Sequence, residues 1–389
     1  MKKIKIAWVG TSGFPHGLAE VVRQRLIAKS LIKLQCSVVI LNRKGVHNQA
    51  SNLTIEPQGN YEGIDYIYLS GSAYKPHNFL KRNLKKIAGL TNEIKHLIRN
   101  DYNFLVTNTR SFPNVLYYRI LSKIFKLKFI LSYVEFNSAS PDRSLKTRIN
   151  DFFFEEFAFS LIDGILPISD YLKAFALKKR KTLPTLKIPT IVDFSLFANQ
   201  NGGAGEKYFL FCGAASYAEL IEFNIRAFEK INDPEYQLYL VASGNAPERE
   251  HIIRLIEMSP KKGLIRMFSN LSYDELIRLY QNASGLLIPL RPIIKDIARF
   301  PHKIGEYTAS GKPIITTGYG EINHYFKDGV NALIAREYDV DSFSKKMLYV
   351  IEKPSESSDI GKAGKVLGLK EFDNLQLGEK IKKFLINLN

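Results

Sequence analysis

Cysteine is scarce in this chain. Cys36 and Cys212 are the only two in 389 residues, and they lie far apart. That excludes a disulfide framework and a cysteine-rich metal knuckle, and it predicts a reduced, cytoplasmic protein. Long apolar runs are missing as well. Nothing approaches the ~18 consecutive apolar residues of a membrane span, so the chain is not expected to cross a bilayer. The opening MKKIKIAWVG is basic and then apolar, but the run is too short for a secretory leader and has no cleavage site. No short fixed repeat is present. The one D-x-D, Asp339-Val340-Asp341, does not close a strand and is expected to cap the helix after it, so no metal site is expected.

Acidic residues are also few. There are 38 Asp+Glu against 55 Lys+Arg, a net charge of +17. The imbalance is local. Residues 1–195 hold 30 Lys+Arg against 14 Asp+Glu, and residues 196–389 hold 25 against 24. The first half therefore points to an anionic partner: nucleic acid, an anionic membrane or a phosphorylated acceptor. The alternative is an acid-poor composition without a single patch. Nucleic acid is the weakest of the three, because the basic residues follow no recognised module.

What is present is enough apolar material, 45%, for full cores, and a length that favours two or more domains. An apolar run at Ile4–Val9, the loop GTSGFPHG, an amphipathic helix through Leu18, Val22 and Leu26, and a second strand at Ser37–Leu41 make a βαβ opening. The loop is not G-x-G-x-x-G, so a dinucleotide site is unsupported. It does set Gly17 at a helix N-terminus, where backbone can approach a phosphate; a tight βα turn fits the glycines equally well.

Tyr61–Leu69 reads as a strand pair. Lys75–Arg99 reads as a basic helix with Phe79, Leu80, Leu84, Ile87, Leu90, Ile94 and Leu97 as its apolar stripe. Such a helix lies on anionic lipid or, more often, packs its stripe into the domain. Further strands are expected at Phe104–Thr107, Lys128–Val134 and Gly164–Ile168. Glu135 follows the second of these, at the strand end where parallel sheets gather ligands, and is an acceptor-side candidate; an ion-paired loop carboxylate is the other reading. The phenylalanines of 152–159 are expected in the core. A Pro-rich stretch running into Asn199–Gly205 marks a linker. The second half restarts the rhythm, with strands at Tyr208–Cys212, Gln237–Ala242, Ile265–Phe268 and Gly285–Pro289.

The most informative segment is ARFPHKIGEYTASGKPIITTGYGEI, residues 298–322. Pro301 suits a helix start, Gly311 a helix stop, and Ile314–Thr317 a buried strand. Gly318, Gly320 and Glu321 form a tight loop opening another helix. Helix N-termini attract anions, and Lys303 and Glu306 share one helix face. Together they suit a phosphate and a sugar hydroxyl, or they are an exposed i,i+3 ion pair.

This segment resembles the donor-site region of the retaining, GT-B-fold glycosyltransferases of group 1, the family-four type, which show F-P-x-K-x-x-E-Y-x-A-x-G-K-P. Gly13–Ala19 with Arg23, and Ile188-Pro189-Thr190-Ile191-Val192-Asp193, are similar to other segments of that family. The resemblance implies an α/β fold of two Rossmann-like, doubly wound parallel-sheet domains facing across a cleft. The domains would be residues 1–190, a linker 191–206, a nucleotide-sugar domain 207–372, and a last helix, 373–389, crossing back to the first domain. It implies a nucleotide-diphosphate sugar as donor substrate, no other cofactor, and a glycan or polyisoprenoid-linked acceptor, at the inner membrane face in polysaccharide synthesis. Gly17, Gly213, Gly244, Arg299, Phe300, Pro301, Lys303 and Glu306 would bind the donor. His16 and Glu135 would face the acceptor. Two departures stand out. The family's first Glu is here Ala298. The usual Arg and Lys after the first glycine of the second domain are replaced by Gly213-Ala214-Ala215-Ser216-Tyr217, leaving Arg299 and Lys303 to stand in. A GT-B epimerase or phosphorylase-like enzyme, or a non-catalytic binding partner, are the alternatives.

Overall fold

The computed structural model describes residues 3–48, 54–139, 143–198 and 205–388. They form two compact units, one of residues 1–191 with 374–389 and the other of residues 192–373.

The first unit is built on seven strands: β1 (Lys5–Gly10), β2 (Ser37–Asn42), β3 (Gln58–Tyr61), β4 (Ile64–Tyr68), β5 (Phe104–Thr107), β6 (Lys128–Tyr133) and β7 (Gly164–Pro167). Their order is β3-β4-β2-β1-β5-β6-β7. All neighbours are parallel except β3 and β4, a hairpin turned by Glu62 and Gly63, both at positive φ (50° and 84°). That conformation matches the twist of the flanking strands. Strands such as β1 and β5 are continuously apolar because helices cover both faces of a parallel sheet.

The helix Asn374–Leu388 belongs to this first unit. Leu377, Ile381 and Leu385 enter its core, and a Cβ at Gly378 would stand 2.6 Å from Ser30 Oγ on helix Ala19–Lys33. Arg23, on the same helix as Ser30, is buried. It donates to the carbonyls of Ile188 and Pro189 at 2.5 Å each, fixing the end of the unit.

The second unit holds β8 (Lys207–Ala214), β9 (Tyr236–Ser243), β10 (Ile265–Phe268), β11 (Gly285–Ile288), β12 (Ile314–Thr317) and β13 (Leu333–Ala335). All are parallel, in the order β10-β9-β8-β11-β12-β13. Counted from its own first strand this is 3-2-1-4-5-6, the Rossmann order. Two doubly wound parallel-sheet units in one chain are the make-up of the GT-B fold.

Three expectations meet a different arrangement. The expected linker is split. Val192 donates its N–H to Phe372 O at 3.0 Å, and a Cβ at Gly368 would come 2.9 Å from the Phe194 ring, so 192–197 packs within the second unit. Residues 199–204 of the expected linker lie outside the described residues. The helix Phe79–Arg99 buries its apolar stripe only in part: Leu97 is core, whereas Leu80, Leu84 and Ile87 are exposed. Among the phenylalanines, Phe154 and Phe159 are core, whereas Phe152, Phe153 and Phe157 are exposed on the helix Leu145–Phe157. In both helices the periodicity gives an apolar face without saying what covers it.

Candidate functional site

In a doubly wound sheet the crevice for a ligand opens at the carboxyl ends of the strands, where the order reverses. In the second unit that point lies between β8 and β11. The loop Gly213–Tyr217 ends β8, and Arg291–Pro301 follows β11. A wholly buried carboxylate, Asp296, ties them. It accepts from Arg291 Nε at 2.8 Å through Oδ2 and from Arg299 Nη2 at 2.8 Å through Oδ1. Arg299 donates to Tyr217 Oη at 2.5 Å and lies over that ring. Arg291 reaches Glu219 at 2.5 Å. Burial pushes the Asp296 carboxyl up, but hydrogen bonds and charge from Arg291 and Arg299 outweigh it and hold the group below its ordinary value. Arg299 therefore does stand at the helix start, as expected, but as half of a fixed pair with Arg291.

The helix His302–Ser310 begins directly after Pro301 and ends at Gly311, whose φ of 75° is left-handed. Glu306 is 2% exposed. Its Oε2 accepts from Lys303 Nζ at 2.8 Å and Tyr280 Oη at 3.2 Å, and its Oε1 from Tyr273 Oη at 3.3 Å, with His302 Nε2 at 3.5 Å. This is not an exposed i,i+3 pair. Burial opposes both charges, yet each partner stabilises the other: Glu306 is held well below the usual carboxylate range and Lys303 above its ordinary value. Lys303 also neighbours Cys212 at the end of β8.

Gly244 directly follows β9, and a Cβ there would stand 2.7 Å from Ala215 Cβ. Phe300 is core, its ring stacked on Tyr325 with centroids 5.5 Å apart. The second helix expected after Gly320 is a single turn, Ile322–Tyr325. It stops because the chain turns at Asp328-Gly329, with Gly329 at φ 70°.

In the first unit the order reverses between β1 and β5, and a cavity of about 360 Å³ opens there. Ser12, Glu20, Lys44, Asn108 and Arg110 are among its lining residues. The Asn42 side chain fixes the loop after β1 by accepting from Ser12 and Gly13 N–H at 3.2 and 3.1 Å and donating to Phe14 O at 3.2 Å. Burial pushes the Glu20 carboxyl up, against a hydrogen bond from Asn108 and the charge of Arg110. Glu135 is half exposed and paired with Arg110. His16 packs edge-on against Tyr61, with centroids 5.4 Å apart, and is held below its ordinary value by burial, His47 and Arg25. Gly17 precedes the helix Ala19–Lys33, where a Cβ would collide with Val21. His16 and Glu135 thus have separate partners, and neither is among the residues that line this cavity.

Sequence reasoning missed Asp296, Arg291 and Glu20. For the first two a signal existed: a carboxylate between two arginines directly after a strand end. Glu20 left no trace, since its neighbours Asn108 and Arg110 are far away in sequence.

The sequence model of the family described as "Glycosyl transferases group 1" matches residues 194–366. That stretch of the chain is similar to the family. No curated protein matches the chain. Among solved structures, a sucrose-phosphate synthase from Thermosynechococcus elongatus is similar at 17% identity and TM-score 0.77, with 99% of this chain and 100% of that one covered. A glycosyltransferase from Rickettsia africae ESF-5 is similar at 14% identity and TM-score 0.73, covering 100% and 99%. Anabaena Alr3699/HepE, in complex with UDP and glucose, is similar at 15% identity and TM-score 0.68, covering 99% and 100%. At these identities the likeness is one of fold. Arg291, Asp296, Arg299, Lys303 and Glu306 all fall inside the matched residues.

Proposed function

We propose that this protein is a retaining hexosyltransferase of the family-four type. It would move a sugar from a nucleotide-diphosphate sugar to a glycan or polyisoprenoid-linked acceptor in cell-surface polysaccharide synthesis, at the inner membrane face. What supports the reading is the crowding of cations around the β8–β11 reversal: Arg291, Arg299 and Lys303, each held by a buried carboxylate. Neighbours in fold bind UDP and glucose, which is the same donor chemistry.

In this reaction the bond from the anomeric carbon to the diphosphate oxygen breaks. A bond to the acceptor oxygen forms on the same face, and the hydroxyl proton leaves with the diphosphate. Negative charge grows on the leaving phosphate, so groups fixed before the reaction to receive it lower the barrier. Lys303 directs one of its N–H donors to Glu306 and offers the rest of its ammonium to phosphate oxygens. Arg299, immobilised by Asp296, donates from a set position. The chain's own cations do the work a metal would otherwise do. Gly213 and Gly244 let backbone approach the nucleotide, and the Phe300-Pro301 backbone borders the sugar. Glu306 serves first to position Lys303, and ribose hydroxyls reach it only by displacing Tyr273 or Tyr280. On the first unit Gly17 lets backbone approach the donor phosphates, and His16 and Glu135 serve the acceptor. His16, held below its ordinary value, is neutral near pH 7 and able to accept a hydrogen bond.

The test is a panel of UDP-, GDP- and TDP-sugars in EDTA-containing buffer, with the product's anomeric configuration read by NMR. Transfer with retained configuration, lost in Lys303→Ala, is expected. Turnover and nucleotide affinity unaltered in Lys303→Ala remove that residue from the site, and inversion at the anomeric carbon ends the retaining reading.

A further inference from the structure

The helix Phe79–Arg99 is anchored by one half and free in the other. Gly89, Glu93 and Leu97 form its buried side. A Cβ at Gly89 would collide with the Arg43 carbonyl, so the helix backbone sits directly on the chain after β2. Glu93 fixes the same contact, 3.5 Å from Arg43 Nε and accepting from Tyr118 Oη at 3.1 Å. Ahead of Gly89 the helix stands clear. Phe79, Leu80, Leu84 and Ile87 are 64%, 70%, 66% and 59% exposed.

At 3.6 residues per turn, Leu80, Leu84 and Ile87 lie within about 60° of one another, roughly opposite the buried side. Lys81 lies about 60° beyond one edge of this stripe, and Lys85 and Lys86 lie about 100° beyond its two edges. From Lys75 to Arg99 the sequence holds 7 Lys+Arg and a single carboxylate, Glu93, which is turned inward. Among the described residues, no carboxylate pairs with Lys75, Lys81, Lys85 or Lys86. Lys44 joins the cluster and is pushed below its ordinary value by burial, then by Lys86, Arg43 and Lys75.

We infer that the exposed half of the helix Phe79–Arg99 is a docking element for an anionic lipid bilayer, with Leu80, Leu84 and Ile87 entering the headgroup–acyl boundary and the flanking lysines on the lipid phosphates. The arrangement is that of a helix lying in the interface plane: an apolar stripe edged by cations whose alkyl stems extend the apolar surface. A second copy of the chain is a poor occupant, because the same seven cations would face one another. The docking stands independently of the transfer reading. If both hold, Lys44, which lines the cavity beside β1, links the lipid-facing cations to the acceptor crevice.

The test uses the full chain and sedimentation with two vesicle types, phosphatidylcholine alone and phosphatidylcholine with one third phosphatidylglycerol. Wild type is expected to bind the anionic vesicles at least about tenfold more tightly than the neutral ones. The variant Leu80→Ser/Leu84→Ser/Ile87→Ser and the variant Lys81→Glu/Lys85→Glu/Lys86→Glu should each lose about tenfold or more. Their thermal unfolding should match wild type, since every altered side chain is outside the core. Wild type that ignores anionic vesicles overturns the inference and is the result expected if an acidic protein covers this helix. Wild-type binding by the triple-serine variant overturns it equally. Transfer to a soluble acceptor separates the two proposals: the triple-serine variant should retain it, and its absence in wild type leaves the vesicle result standing.

Discussion

Asp296 and Arg299 are three residues apart and joined at 2.8 Å, with the carboxylate wholly buried and the guanidinium laid over Tyr217. Arg291 completes the cluster from the other carboxylate oxygen. Removing the one negative charge strands two cations. Asp296→Asn is therefore expected to cost about 3 kcal/mol of stability, the lower end for breaking a buried pair, since asparagine keeps the shape and one acceptor. Denaturant unfolding measures it. Nucleotide affinity should fall as well, because Arg299 loses its fixed position.

Lys303 and Glu306 predict a non-additive pair. Lys303→Ala leaves a buried carboxylate uncompensated and should destabilise by about 3–5 kcal/mol. Adding Glu306→Gln removes that charge and should restore part of the loss, a coupling of about 1–3 kcal/mol in a double-mutant cycle. Sugar transfer should stay low in the double variant, because the cation at the leaving phosphate is still missing.

Glu93 sets a pH dependence of the opposite kind to an ion-paired surface carboxylate. Burial pushes its carboxyl up to about 7, with Arg43 only partly opposing. The native state then holds a proton that the unfolded chain has already released. Its contribution is full below the unfolded value of about 4.3 and is lost as pH rises through about 7, a change on the order of 3–4 kcal/mol. Glu93→Gln should remove this slope. Unfolding free energies of the two proteins between pH 5 and 8 should converge at the acid end and diverge, in favour of the variant, at the alkaline end.

The helix Pro354–Glu371 packs through glycine. A Cβ at Gly361 would stand 2.5 Å from Gly311 O, and one at Gly368 would stand 2.7 Å from Thr308 Oγ1. Gly361→Ala should lower stability by about 1–3 kcal/mol through overpacking, despite alanine's better helix propensity. Thermal unfolding checks the sign: an increase in Tm shows that the helices can part without loss.

That helix also explains part of what the sequence concealed. Its buried face is Ser357, Ile360, Gly361, Gly364 and Gly368, so no stripe of large apolar residues announces it. The helix Phe112–Ile124 is likewise absent from what the sequence predicts between the strands Phe104–Thr107 and Lys128–Tyr133. By contrast, Ile265–Phe268 and Ile314–Thr317 fall where their patterns predict, because apolar runs are local signals. Lys303 and Glu306 were legible as a pair, being one turn apart. Their enclosure by Tyr273 and Tyr280, and the grip of Tyr217 on Arg299, join distant stretches of chain and left no mark in the sequence. The stripe of the helix Phe79–Arg99 was legible too, but periodicity is silent on which side meets the sheet.

Leu377, Ile381 and Leu385 complete a core whose other members come from the first 191 residues. On the ribosome, then, the first unit emerges early and waits. Its groove along the helix Ala19–Lys33 stays bare while the whole second unit is translated, and it fills only when Asn374–Leu388 follows. The domain made second is the one able to fold first, and a nascent chain halted before Asn374 carries an open apolar groove that chaperones would meet.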